Sequence, residues 1–176
     1  MEYTYYYDSP LGGITLASDG KVLTGLWFNG QKYSANTLSK NYVKKNLPVF
    51  KQTHQWLNIY FSGKQPNFIP LLKIETTPFR KTVWKILLTI PFGQTITYGE
   101  IANIITNGKN SSVMSARAIG NAVSHNPISL IIPCHRVIGK NKNLIGYAGG
   151  IEKKRYLLEM ERINTFSHNW FYKFKI

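Results

Sequence analysis

The chain has 176 residues, one cysteine and a net charge of +14. That length supports one domain or two small ones without disulfide staples, and a lone cysteine excludes an internal bridge. No apolar run is long enough for a membrane span and no leader pattern opens the chain, so a soluble protein of a reducing, cytoplasmic compartment is expected.

Taken in order, the aromatic residues 3–7 predict a strand. Asp8-Ser9-Pro10-Leu11-Gly12-Gly13 is turn chemistry, and residues 14–18 alternate. Asp19-Gly20 is a tight-hairpin signal, and residues 22–28 complete the pair. The tyrosines fit a strand face on a core better than a stacking platform for bases. Residues 54–61 predict a helix with Trp56, Leu57, Tyr60 and Phe61 on one face, stopped by Gly63. A loop with two prolines follows. We expect one domain over residues 1–70, a linker over 71–78 and a second domain over 79–176.

Charge changes at that boundary. Residues 1–77 hold 8 Lys+Arg against 4 Asp+Glu, and residues 78–176 hold 14 against 4. The excess points the second half at a polyanion, with a solvated basic face as the alternative.

Thr77 and Pro78 open a helix as N-cap and first residue, with Phe79, Val83 and Leu87 in one stripe flanked by Trp84 and Leu88. Pro91-Phe92-Gly93 ends it. Thr97-Tyr98-Gly99-Glu100 is a capping box for a short helix carrying Ile101, Ala102, Ile104 and Ile105. Asn107-Gly108 stops that helix, and a polar loop runs to Ser112. A further helix is predicted from about Met114 to Ser124, ended by Asn126-Pro127. Two short helices, the second with Arg117 near its start, fit a helix-turn-helix or a plain helical hairpin. After residue 143, Gly146, Gly149 and Gly150 surround Tyr147 and let backbone approach a ligand. The last helix covers residues 151–163, with Tyr156, Leu157 and Met160 facing the core and Glu161 one turn on. The tail from Asn164 is basic and aromatic.

The cysteine lies in Pro133-Cys134-His135-Arg136-Val137, behind the apolar run 128–132. The thiolate is the reactive form of cysteine, and neighbouring nitrogen donors, one permanently cationic, favour it. A buried structural cysteine is the competing reading. His54, His125, His135 and His168 show no metal-ligand spacing, and neither a phosphate loop nor a dinucleotide fingerprint is present.

The stretch Ile131-Ile132-Pro133-Cys134-His135-Arg136-Val137-Ile138-Gly139 resembles the active-site signature of the O6-alkylguanine-DNA alkyltransferases. The likeness runs nearly the whole chain. It includes the Ser9-Pro10-Leu11-Gly12 turn, the Thr97-Tyr98-Gly99 start, the run Arg117-Ala118-Ile119-Gly120-Asn121-Ala122, Asn126-Pro127 and Gly146-Tyr147-Ala148-Gly149-Gly150. The resemblance implies an α+β chain: an N-terminal α/β, ribonuclease-H-like sheet domain and a C-terminal helical, winged helix-turn-helix-like domain. It implies one irreversible transfer from O6-alkylguanine, and from O4-alkylthymine, in double-stranded DNA to Cys134. His135, through a water, and Glu161 would activate the thiol. Tyr98 would rotate the target phosphate and give a proton to the leaving guanine. Arg117 would replace the extruded base in the stack, and Asn126 would be the hinge between recognition helix and active site. The backbone of Cys134, Val137 and Ala148, with Tyr147 and Gly149, would line the guanine pocket. No metal or cofactor is implied, and a monomer is expected. The chain departs from many members in a longer loop between Ile105 and Arg117, and in Ala148 where some have serine. Read from the residues alone, a cysteine hydrolase and a DNA-binding module with an incidental thiol stay open.

Overall fold

The structure, a computed structural model, describes residues 1–35, 37–39, 41–108 and 115–163. Strands β1 (Glu2–Ser9), β2 (Gly12–Ser18) and β3 (Leu23–Phe28) form an antiparallel meander. A short strand that the sequence did not announce, β4 (Tyr42–Lys44), pairs parallel with β1, so the sheet order is β3-β2-β1-β4. The two hairpin turns use glycine where φ is positive, at Gly12 (+96°) and Gly20 (+109°).

Helix α1 (Pro48–Phe61) covers the sheet, with Phe50 stacked on Tyr5 and Phe61 on Tyr7. It starts earlier than the expected residue 54. Proline sits at the first turn, where its missing N–H costs nothing, and Val49, Phe50 and Thr53 extend the buried face backward. The expected stop at Gly63 holds, with φ +78°.

The outer edge of β3 is covered by two distant segments. Leu23 exchanges hydrogen bonds with residues 71 and 73, and Leu26 does so with residues 127 and 129, all between 2.8 and 3.0 Å. Covering an unpaired edge satisfies its backbone groups and removes a site of aberrant pairing. It also fastens the run leading to Cys134 onto the sheet.

Helices α2 (Pro78–Leu88), α3 (Tyr98–Ile105) and α4 (Ala116–Ser124) pack against one another. Thr77 caps α2, and Thr97 with Glu100 forms the capping box of α3. Ser115 caps α4, which therefore begins at Ala116. Met114, the polar loop up to Ser112 beyond Gly108, and the tail from Asn164 lie outside the described residues. Helix α2 closes at Leu88, before the Pro91-Phe92-Gly93 turn. Trp84 donates through Nε1 to the Ala122 carbonyl at 2.8 Å, which ties α2 to α4. A two-residue parallel pair, β5 (Ile96–Thr97) with β6 (Val137–Ile138), sets the start of α3 beside the residues that follow Cys134.

Helix α5 (Ile151–Ile163) differs from expectation in its inward face. Tyr156 is exposed, while Lys154, Leu157, Leu158 and Glu161 are buried at i, i+3, i+4 and i+7. The stripe thus carries two charged residues that an apolar count passes over. One continuous apolar core joins the sheet, α1 and the C-terminal helices, with Leu26, Phe50, Tyr60, Leu87, Ile101, Ile119 and Leu157 inside it.

Candidate active site

Cys134, His135 and Arg136 form a single 3-10 turn behind Pro133. A turn, unlike a strand, lets adjacent side chains share one side of the backbone. Cys134 is buried and its thiol is unbridged. Asn126, just past α4, donates through Nδ2 to the Ile132 carbonyl at 2.7 Å and to the Cys134 Sγ at 3.1 Å. Its Oδ1 accepts from the Ile128 N–H at 3.0 Å. One amide thus fixes the approach to the turn and touches the sulfur.

Burial pushes the Cys134 thiol up, and the Asn126 hydrogen bond, the Lys154 charge and nearby backbone N–H groups oppose the rise. This corrects the expectation that Arg136 favours the thiolate. Its guanidinium turns away, with Nε to Glu161 Oε2 at 2.9 Å, Nη2 to Glu161 Oε1 at 3.0 Å and Nη1 to the Ile90 carbonyl at 2.6 Å.

Glu161, wholly buried on α5, is the centre of the network. Beside the Arg136 fork it accepts from His135 Nε2 at 2.7 Å, from the Tyr60 hydroxyl at 2.7 Å and from the Gly93 N–H at 3.0 Å. Burial alone would raise its carboxyl, but the charges and hydrogen bonds of His135 and Arg136 outweigh it and hold the pKa far below the usual range. Burial, only partly offset by Glu161, lowers His135, so its ring is neutral at neutral pH. With Nε2 donating to the carboxylate, Nδ1 is the basic nitrogen. It is buried and has no partner among the described residues.

Lys154 is the second buried charge. Its ammonium donates to the carbonyls of Val137 at 2.6 Å, Ile145 at 2.7 Å and Gly146 at 3.0 Å. Burial pulls its pKa down to about 8, against the attraction of Cys134. It clamps the end of the cysteine turn to the glycine loop.

That loop presents Tyr147, Ala148 and Gly149. Tyr147 stands edge-on to His135, with centroids 6.4 Å apart, and its buried hydroxyl has no partner among the described residues. Gly149 leaves room for the Tyr147 ring, since a Cβ there would lie 2.7 Å from Cε1. The Ala148 carbonyl accepts from Lys32 N–H at 2.9 Å. Tyr98, the first residue of α3, brings its hydroxyl to 3.2 Å from where a Gly146 Cβ would stand. Burial and then the negative charge of Cys134 raise the Tyr98 hydroxyl, so it holds its proton at neutral pH.

The structure therefore gathers Cys134, His135, Glu161, Asn126, Val137 and Tyr147, with Tyr98, Ala148 and Gly149 at the loop. Arg117 stands apart, exposed on the first turn of α4. Two members of the network escaped the sequence reading as site residues. Tyr60 looks like any core aromatic of α1, and its one signal is a hydroxyl on an apolar face that must find a partner. Lys154 shows as a lysine in register with Leu157, Leu158 and Glu161.

The sheet and the C-terminal helices thus enclose one buried thiol, with His135 beside it in the same turn. The chain belongs to the 6-O-methylguanine DNA methyltransferase family: the ribonuclease-like domain of that family matches residues 1–74 and its DNA binding domain matches residues 78–163. It is 42% identical over 163 residues to the methylated-DNA--protein-cysteine methyltransferase of Haemophilus influenzae, covering 92% of this chain and 87% of that one. The protein of the same description from Mycobacterium tuberculosis is 45% identical over 155 residues, 88% of this chain and 89% of that one. Among solved structures, Mycobacterium tuberculosis OGT in complex with DNA superposes with a TM-score of 0.78 at 43% identity, covering 92% of each chain. An O6-methylguanine DNA methyltransferase from Methanococcus jannaschii superposes at 0.60 with 29% identity, covering 94% of this chain and 98% of that one. The fold class expected from the sequence is the one observed.

Proposed function

We propose that this protein repairs double-stranded DNA by moving the alkyl group of O6-alkylguanine, and of O4-alkylthymine, to Cys134 in a single irreversible step. The observation that carries the reading is the buried thiol held by Asn126, next to a His135 whose Nε2 is committed to Glu161 and whose Nδ1 is left as a base.

The proposed steps use these groups together with Tyr98. A water between Cys134 and His135 passes the thiol proton to Nδ1, and the resulting imidazolium faces the Glu161 carboxylate. The thiolate attacks the alkyl carbon, the S–C bond forms as the C–O6 bond breaks, and the electron pair leaves on guanine. Tyr98 gives its proton to that anion, and the imidazolium proton restores the phenol through solvent. The net proton thus travels from thiol to base. The product is a thioether, and among the described residues no group at the site is placed to cleave one, so each molecule acts once.

The base must leave the duplex to reach a buried sulfur. Arg117, exposed at the start of α4, fills the gap left behind. Tyr147, Ala148 and Gly149, with the backbone at Cys134 and Val137, receive the base. Residues 1–70 and 79–176 act as two domains joined by 71–78. Among the described residues no helix is long and apolar enough to cross a membrane, and a reducing cytoplasm suits a lone reactive thiol.

The test is intact-mass analysis after exposure to an O6-methylguanine duplex. One added methyl group on the wild type and none on Cys134→Ser, which should still bind the duplex, is the expected result. Methylation of the serine variant at near wild-type rate would overturn the assignment.

A further inference from the structure

We propose that Tyr60, on α1, is a positioning residue for the transfer step, holding the Glu161 carboxylate so that His135 stays a neutral base with Nδ1 toward the thiol. This rests on the alkyl-transfer reading above.

The Tyr60 hydroxyl donates to Glu161 Oε1 at 2.7 Å, and the same oxygen accepts from His135 Nε2 at 2.7 Å. Tyr60 oxygen and His135 Nε2 are 3.2 Å apart, so the three atoms form a closed triangle in the core. Tyr60 is wholly buried, and burial together with the Glu161 charge raises its hydroxyl well above the ordinary value. It therefore keeps its proton and can only donate to the carboxylate. Its ring is fixed by stacking on Trp56 and by edge contacts with Phe61 and Phe92. A rigid donor on a shared oxygen withdraws part of that oxygen's negative charge from the imidazole. Without it, Oε1 is left to His135 and to the Arg136 Nη2 at 3.0 Å, more of its charge falls on the imidazole, and the imidazolium, which cannot accept the thiol proton, is favoured.

The charged and titratable groups facing His135 are Cys134 and Arg136 beside it, Tyr60 from α1, Tyr147 from the glycine loop, and Lys154 and Glu161 from α5. Among the described residues, Tyr60 alone of these groups comes from the N-terminal half. The inference therefore gives that half a part in the chemistry beyond support.

Tyr60→Phe tests this, since it keeps the ring and its packing and removes one oxygen. Two readouts are needed. The His135 ring, followed by NMR across pH in the DNA-free protein, should protonate at higher pH in the variant. Single-turnover transfer from a saturating O6-methylguanine duplex should fall about tenfold near about pH 6.5 and recover to within about twofold of wild type near about pH 8.5, as a base that protonates too easily demands. Duplex affinity should not change. Val49→Ala, which loosens the packing of α1 about three turns before Tyr60 and leaves the hydroxyl and its ring contacts, should lower stability without moving either pH profile. An unshifted His135 titration in Tyr60→Phe, or a loss of rate equal at all pH, overturns the proposal and leaves Tyr60 a packing residue. A wild-type protein that gains no methyl group overturns the alkyl-transfer reading instead, and the NMR titration still decides whether Tyr60 sets the state of His135.

Discussion

Asn126 reaches the sulfur of Cys134 at 3.1 Å from the residue that follows the C-cap of α4, so the helix bearing Arg117 and the thiol share one amide. The same Nδ2 bonds the Ile132 carbonyl at 2.7 Å, which leaves the side chain no freedom to reorient without breaking a buried bond.

Asn126→Ala should therefore do two things. The thiol loses a hydrogen bond that favours its ionised form, so the pH midpoint of its reaction with iodoacetamide moves up. The Ile128 N–H loses its partner and the Ile132 carbonyl keeps only the Cys134 N–H, at a cost of about 2 kcal/mol in urea unfolding. An unmoved alkylation profile would show that Asn126 serves the backbone alone.

Glu161→Gln tests the buried carboxylate through pH. Its folded pKa lies below the unfolded value of about 4.3, so its stabilisation is complete above that range and is lost as pH falls toward the folded pKa. The variant also leaves Arg136 without its counter-charge. It should lose about 3 kcal/mol or more at neutral pH. The gap between wild type and variant should narrow in acid, as read from urea melts at two pH values. A gap independent of pH would mean that the carboxylate charge contributes nothing.

Lys154→Met removes the ammonium from three backbone carbonyls. We expect a loss of about 3 kcal/mol. The pH dependence has the same sign as that of Glu161 but falls in the alkaline range. A lysine whose pKa is about 8 in the fold, against 10.5 free, binds its proton more tightly when unfolded, so its contribution rises with pH across that window. Thermal melts from pH 8 to 10.5 should show that rise in the wild type and lack it in the variant.

Arg117→Ala separates base extrusion from chemistry. Repair of duplex DNA should slow, while reaction with free O6-benzylguanine, which involves no unstacking, should hardly change. Stability should stay within about 0.5 kcal/mol, since the side chain is exposed. Equal losses with both substrates would assign Arg117 to the active site or the fold.

Local chemistry determined much of this protein. The Gly12 and Gly20 turns, the Thr77 cap and the Thr97–Glu100 capping box depend on residues a few positions apart, so they are written where they act. The Cys134-His135 pair was legible for the same reason, and Glu161 came only with the family resemblance. The course of α1 before residue 54, the strand β4 and the inward face of α5 were not legible, because each is settled by what it packs against. The partners of Arg136, Lys154 and Tyr60 were least legible of all. Arg136 sits two residues from the thiol yet serves a carboxylate 25 positions on, and Tyr60 meets Glu161 across 101 positions. A buried charge or hydroxyl must be satisfied by whatever the fold brings within about 3 Å, and only the tertiary structure decides what that is.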